Sequence, residues 1–177
     1  PQNENELIDI LRYRHRIMLE GRENCTPGMF KQRANQAGDT VFVAPELVEG
    51  TIRYGFRYYR NLSSPLARAI FMMFLCSEVH PFVDGNGRIA RIMMNAELSA
   101  TDTARIIVPT VYREDYLLAL RKLSRNAIPD TYVTVMKRLQ QFSASIPCAD
   151  FETAKSFLQK ANAFSDAEIA RLNFSFA

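Results

Sequence analysis

At 177 residues, 47% hydrophobic and 23% charged, the chain has the length for one domain with a substantial core, and the composition of a soluble globular protein, not a disordered or fibrous one. A net charge of +3 is too small to argue for a nucleic-acid partner. The longest apolar run, Ala69 to Cys76, is too short to span a bilayer, so no membrane association is expected. The cysteines, Cys25, Cys76 and Cys148, are odd in number, far apart and without a CxxC pair. That argues against a zinc ribbon or disulfide framework and for free thiols in a reducing, cytoplasmic setting. No secretory signal opens the chain; it starts at Pro1 without methionine, so a fragment of a longer protein is expected.

Asn5 to Glu20 reads as a helix whose apolar face carries Ile10, Leu11, Ile17 and Met18, stopped by Gly21. A turn at Thr26-Pro27-Gly28 leads into Met29 to Val43, which reads as a β-hairpin with its tip near Asn35 to Gly38. Such a hairpin is marginal alone and must lie on helices. Pro45 opens a helix running to about Asn61, with Gly50 and Gly55 as weak points. Ser64 and Pro65 fit the N-cap and N1 positions of a further helix. Its stretch from Ala69 to Cys76 is apolar all round, the pattern of a helix buried on every side. After the segment discussed below, a helix from about Arg88 gathers Ile89, Ile92, Met93 and Ala96 on one face and Arg88, Arg91 and Asn95 on another. Helices over Tyr112 to Leu123, Asp130 to about Phe142, Ala149 to Ala161 and Ser165 to Leu172 complete a mostly α protein.

Between the buried helix and the one after it stands His80-Pro-Phe-Val-Asp-Gly-Asn-Gly-Arg-Ile-Ala-Arg91. It is either a polar surface loop or a site that handles phosphate. Gly85, Asn86 and Gly87 enter a helix, where glycine and asparagine allow left-handed backbone and successive amides can face one concavity. With the positive end of a helix behind them, these amides form an anion cradle. Arg88 and Arg91, three residues apart, can both reach a polyphosphate, each through a planar two-pronged donor. Asp84 is suited to holding Mg²⁺ against phosphates. His80 can take a proton from an attacking hydroxyl, and Phe82 is the expected inward anchor. A base, a metal ligand, an anion nest and two arginines point to nucleotide chemistry, and the spacing is not that of a P-loop.

This string resembles the HPFx[DE]GNGRxxR signature of the Fic family, within the Fic/Doc group, and fills each of its fixed positions. The resemblance runs from about Asn5 to Gln140 and weakens after Pro147. It implies a Fic-fold helical bundle over residues 1–147, with a hairpin flap at about 29–44 and the motif loop at 80–91, and a helical extension over 148–177 packed on it. It implies a protein adenylyltransferase moving AMP from ATP, with Mg²⁺, to a Ser, Thr or Tyr hydroxyl of a target protein. In that reading His80 is the general base and Asp84 holds Mg²⁺. Gly85, Asn86 and Gly87 cradle the α- and β-phosphates. Arg88 contacts the phosphates, Arg91 the γ-phosphate, and Phe82 is the buried anchor. The flap pins the target segment by β-pairing, and Tyr116 falls where an adenine-proximal aromatic occurs. The family's inhibitory [ST]xxxE[GN] string is missing: Thr110 to Asp115 fails at its last position and Pro45 to Gly50 at its first. An inhibitory segment is therefore expected upstream of Pro1, on a separate protein, or not at all.

Elsewhere the structural readings prevail. The Arg53 to Arg60 stretch, in which arginines and aromatics interleave, is read as Tyr54 and Tyr58 filling a helix seam while arginines reach solvent, not as a nucleic-acid surface. His15 is read as a surface or packing histidine, Cys76 as buried and inert, and Met72, Met73, Met93 and Met94 as core fillers. Removal of AMP through the same site, and nucleotide binding without turnover, stand as alternative functions.

Overall fold

The computed structural model describes residues 1–174. The fold is mostly helical with one two-stranded sheet, and its packing divides into two compact units, Pro1–Thr101 and Asp102–Ala177.

The first unit begins with α1, Glu4–Met18, capped by the Asn3 side chain accepting the Glu6 N–H. Acidic residues in its first turn and basic ones in its last complement the helix dipole. Its buried face is Leu7, Ile8, Leu11 and His15. The expected face was rotated: Ile17 is 52% exposed, while the histidine is wholly buried. The hairpin is short, β1 Gln36–Ala37 pairing antiparallel with β2 Thr40–Val41. Its turn falls at Gly38–Asp39, later than the expected tip, because Asn35 is occupied holding the motif loop.

A 3₁₀ turn at Pro45–Leu47 leads into α2, Val48–Tyr59, which buries Ile52, Phe56 and Tyr59. Tyr54 and Tyr58 do not fill the seam; they lie outside, edge to face, with hydroxyls 3.0 Å apart. Helix α3, Pro65–Val79, starts as expected with the Ser64 hydroxyl accepting the Ala67 N–H and proline in the first turn. Ala69, Ile70, Met72, Met73, Leu75 and Cys76 are all buried. Helix α4, Asn86–Ser99, packs most extensively on α3, with α1 and α2 against the same pair. Its core side is Ile89, Ala90, Met93, Met94 and Leu98; Ile92, expected inside, is partly exposed. The Tyr59 hydroxyl donates to Glu97 Oε2 at 2.8 Å, joining α2 to α4.

The second unit contains α5, Arg113–Asn126, α6, Asp130–Ala144, and α7, Phe151–Lys160, the last capped by Asp150. The chain divides at Thr101/Asp102, and the position 147/148, expected as a domain boundary, lies inside this second unit between α6 and α7. Phe142 of α6 and Phe157 of α7 sit with ring centroids 6.0 Å apart, in a small core with Val111, Ala161, Ala163 and Leu172. Ser165 to Leu172 forms turns and extended chain, not the expected helix; the Asp166 carbonyl and carboxylate are used in a local turn with Ile169, Ala170 and Glu168. No helix of the described residues is long and apolar enough to cross a membrane.

Candidate active site

The loop from His80 to Gly85 joins α3 to α4, so the buried pair of helices fixes both its ends. Helix α3 stops because His80 turns into the left-handed region (φ 48°, ψ 58°), its N–H still bonded to the Cys76 carbonyl. A non-glycine residue rarely holds that conformation unless its surroundings enforce it. Here they do. The Lys31 N–H bonds the Pro81 carbonyl at 2.9 Å, and the Asn35 amide donates to the Phe82 carbonyl at 3.0 Å and the His80 carbonyl at 3.4 Å.

Asn86 and Phe82 lock the loop on itself. The Asn86 side chain is buried; its oxygen accepts the Phe82 N–H at 2.9 Å and its amide donates to the Phe82 carbonyl at 2.8 Å. The Phe82 ring is wholly buried, stacked on His15 with centroids 3.6 Å apart and planes within 2°. Phe82, the expected anchor, is buried, and its main partner is the histidine read as structural.

His80 has one ring nitrogen committed. Nδ1 lies 3.2 Å from the Ser77 carbonyl, which can only accept, so Nδ1 carries the proton and Nε2 the lone pair. The ring stacks on Phe42, beyond β2, at 3.7 Å. Burial pulls the imidazole below its ordinary 6.5, the Ser77 bond opposes this, and the Lys31 ammonium lowers it further. The imidazole is therefore neutral at neutral pH. Lys31 is itself buried, with Nζ donating to Asn35 Oδ1 at 2.6 Å and to the Val79 carbonyl at 3.4 Å. Its charge sits at the C-terminal, negative end of α3.

Gly85 is the N-cap of α4, with φ +77° and no side chain to satisfy the first-turn amides. An added Cβ there would stand 2.8 Å from Met18 Cε, the movable end of a flexible side chain, so it is the backbone sign that calls for glycine. Asp84 is depressed below the usual carboxylate range, first by the Gly85 N–H bonding its carboxylate and then by Arg88 and Arg22. Arg88 Nη2 lies 3.0 Å and Arg22 Nη1 3.5 Å from Asp84 Oδ2, with Cys25 Sγ at 3.8 Å. Arg91 is exposed and folded back toward the first turn, its Nη1 3.6 Å from where a Gly87 Cβ would be. No carboxylate pairs with it among the described residues.

Asp84, Gly85, Gly87, Arg88 and Arg91 thus gather at the α4 mouth, and His80 stands at the α3 end of the same loop. The Asn86 side chain, in contrast, faces the core and holds the loop. Tyr116 lies in the second unit, buried against Tyr132. What the sequence did not disclose is the support: His15, Arg22, Lys31, Asn35 and Phe42 come from α1, the turn after it and the hairpin region. Lys31 and Asn35, polar residues four apart ahead of a strand, were the available signal.

Comparison with known proteins agrees with this geometry. The Fic/DOC family model matches residues 6–98, which contain the loop and most of its supports. A Fido domain-containing protein of Dictyostelium discoideum is 31% identical over 103 residues, covering 55% of this chain and 72% of that one. The protein adenylyltransferase fic-1 of Caenorhabditis elegans is 27% identical over 117 residues, covering 64% of this chain but 23% of that protein. The solved structure of C. elegans Fic-1 (residues 134–508) superposes with a TM-score of 0.64 at 20% identity, over 86% of this chain and 43% of that one. A Fic domain containing signaling protein from Bacteroides thetaiotaomicron gives 0.59 at 20% identity, over 95% and 65%. With the helix pair, the left-handed histidine and the glycine-capped helix mouth all in one matched segment, the chain belongs to the Fic/DOC family.

Proposed function

We propose that this protein is an adenylyltransferase that moves AMP from ATP to a hydroxyl side chain of a target protein. The observation that carries the reading is His80: a neutral imidazole with Nδ1–H held by Ser77, leaving Nε2 able to accept a proton, on the loop that leads into the uncapped N-terminus of α4. The acceptor oxygen attacks the α-phosphorus while its proton passes to Nε2. The new O–P bond forms as the bond from the α-phosphorus to the bridging oxygen breaks, and pyrophosphate leaves. The amides of the α4 N-terminus, Arg88 and Arg91 would balance the phosphate charge.

The donor set suits magnesium that arrives with the nucleotide. No group of three or more His, Cys, Asp or Glu that could hold a metal occurs among the described residues. One half-exposed carboxylate, Asp84, stands at the phosphate nest, and magnesium is commonly held by one or two carboxylates plus phosphate oxygens and water. Bound there, the ion would draw charge from the phosphates; the chain's part is to place Asp84 and release it from Arg88 and Arg22. The target segment would lie along the hairpin, where β2 pairs with β1 on one side only and Val41 is 72% exposed.

The test is incubation with α-labelled ATP and Mg²⁺ in the presence of a lysate. Wild type should label itself or another protein, and His80→Ala should bind ATP without labelling. ATP binding in both with labelling by neither would indicate a nucleotide-binding module without turnover. Absence of both binding and labelling in wild type would overturn the nucleotide reading.

A further inference from the structure

We infer that His15, in α1 and outside the signature, is a positioning residue for the nucleotide site, acting by orienting the peptide between Asp84 and Gly85. The inference rests on the proposed function. His15 is fully buried, and each ring nitrogen has a partner. Nδ1 accepts the Gly28 N–H at 2.9 Å, which obliges the ring proton to sit on Nε2. Nε2 then donates to the Asp84 carbonyl at 3.0 Å.

That carbonyl belongs to the same rigid peptide unit as the Gly85 N–H. The unit is trans, so the two groups point in opposite directions. A carbonyl held toward His15 sends the Gly85 N–H the other way, and that N–H is the main influence holding the Asp84 carboxyl low. One ring thereby sets both the carboxylate expected to meet magnesium and the first amide of the nest. The parallel stack on Phe82 removes the ring's freedom to tilt, and Gly28 is itself held by Arg12 Nε donating to its carbonyl at 2.9 Å. Gly28, at φ +77°, lies close against α1, where a Cβ would be crowded at 3.1 Å from the Arg12 carbonyl oxygen. The path therefore runs from Gly28 to the His15 tautomer, to the Asp84–Gly85 peptide, to the phosphate nest.

Three variants separate positioning from packing. His15→Phe keeps the stacked ring and loses the donor. His15→Gln lacks the ring but can present an amide N–H to the Asp84 carbonyl. His15→Asn keeps an acceptor near Gly28 but falls short of Asp84. Each is scored by the Mg²⁺ concentration for half-maximal labelling, by ATP·Mg²⁺ affinity from calorimetry, and by thermal midpoint. His15→Phe and His15→Asn should raise the half-activating Mg²⁺ and weaken ATP·Mg²⁺ binding by about tenfold, the range seen when a group supporting a metal ligand is removed. His15→Gln should recover most of both, whatever its midpoint. A packing role alone predicts the reverse order: Phe like wild type, Gln impaired. The Asn variant carries the test should Phe fail to fold. Normal wild-type labelling with unchanged Mg²⁺ and ATP behaviour in the Phe and Asn variants overturns this inference and leaves the proposed function standing. Wild type that neither labels nor binds ATP overturns both.

Discussion

Replacing Asn86 by alanine tests whether the motif loop is held by its own asparagine. The side chain is 3% exposed and satisfies both backbone groups of Phe82, at 2.9 and 2.8 Å. The two halves of the clasp are unequal. The Phe82 carbonyl retains the Asn35 amide at 3.0 Å, so losing Asn86 there removes one bond of two, worth about 1 kcal/mol. The Phe82 N–H loses its partner within the loop, and an unsatisfied buried donor costs about 1–3 kcal/mol. The sum is about 2–4 kcal/mol for Asn86→Ala. Asn35→Ala leaves the Phe82 carbonyl bonded to Asn86 but also takes the 2.6 Å acceptor from the buried Lys31 ammonium, so it should cost more than the about 1 kcal/mol of the carbonyl bond. Urea unfolding of wild type and both variants, with unchanged slope, measures the difference. A loss for Asn86→Ala of no more than about 1 kcal/mol, the worth of the carbonyl bond alone, would refute the reasoning, because it would mean the Phe82 N–H finds another partner.

The remaining predictions concern charge and reactivity. Because the native His80 lies below 6.5, the acid limb of kcat/KM should fall below that value, and Lys31→Met should move it upward; a wild-type limb at or above 6.5 would contradict the burial argument. Both histidines are lowered in the native state, so the unfolded chain binds protons first as pH drops. Their stabilising contribution is complete above 6.5 and declines as pH falls through the native values; urea midpoints at pH 7.5, 6 and 5 should decrease in that order. A disulfide thiol reagent should react rapidly with exposed Cys148 only. Cys25 is buried, and burial pushes the Cys76 thiol up to about 12, so both should react only after denaturant. Tyr59→Phe removes a hydroxyl bonded to a carboxylate that water can partly reach and should cost ~1–2 kcal/mol, again by urea unfolding.

The candidate site was legible in the chain to an unusual degree because its reactive parts are contiguous. Twelve residues, His80 to Arg91, cross one helix junction, and local rules suffice there: glycine for left-handed backbone, a helix start for anions, arginines three apart for one face. The helices were legible for the same local reasons, as in Ser64-Pro65 and the all-apolar stretch after it. Failures came where a residue's role depends on what lies across the fold. The face of α1 was rotated because a buried histidine does not look like a core residue in a hydrophobic pattern. Tyr54 and Tyr58 were placed inside because aromatics at i and i+4 look like a seam, yet that side of α2 faces solvent.

The sequence by itself determined most of the helical framework, the presence of a hairpin, and the identity and order of the groups at the α4 mouth, since all of these follow from interactions within a few residues. Tertiary structure alone decided which groups hold them in place. Phe42 reaches His80, Lys31 and Asn35 reach the loop carbonyls, and His15 reaches Asp84 across 69 positions of chain. Such pairs leave no periodic trace. Their donors and acceptors match only once packing of α1, α3 and α4 has brought them within 3 to 4 Å, so their chemistry is a consequence of the fold and not a signal for it.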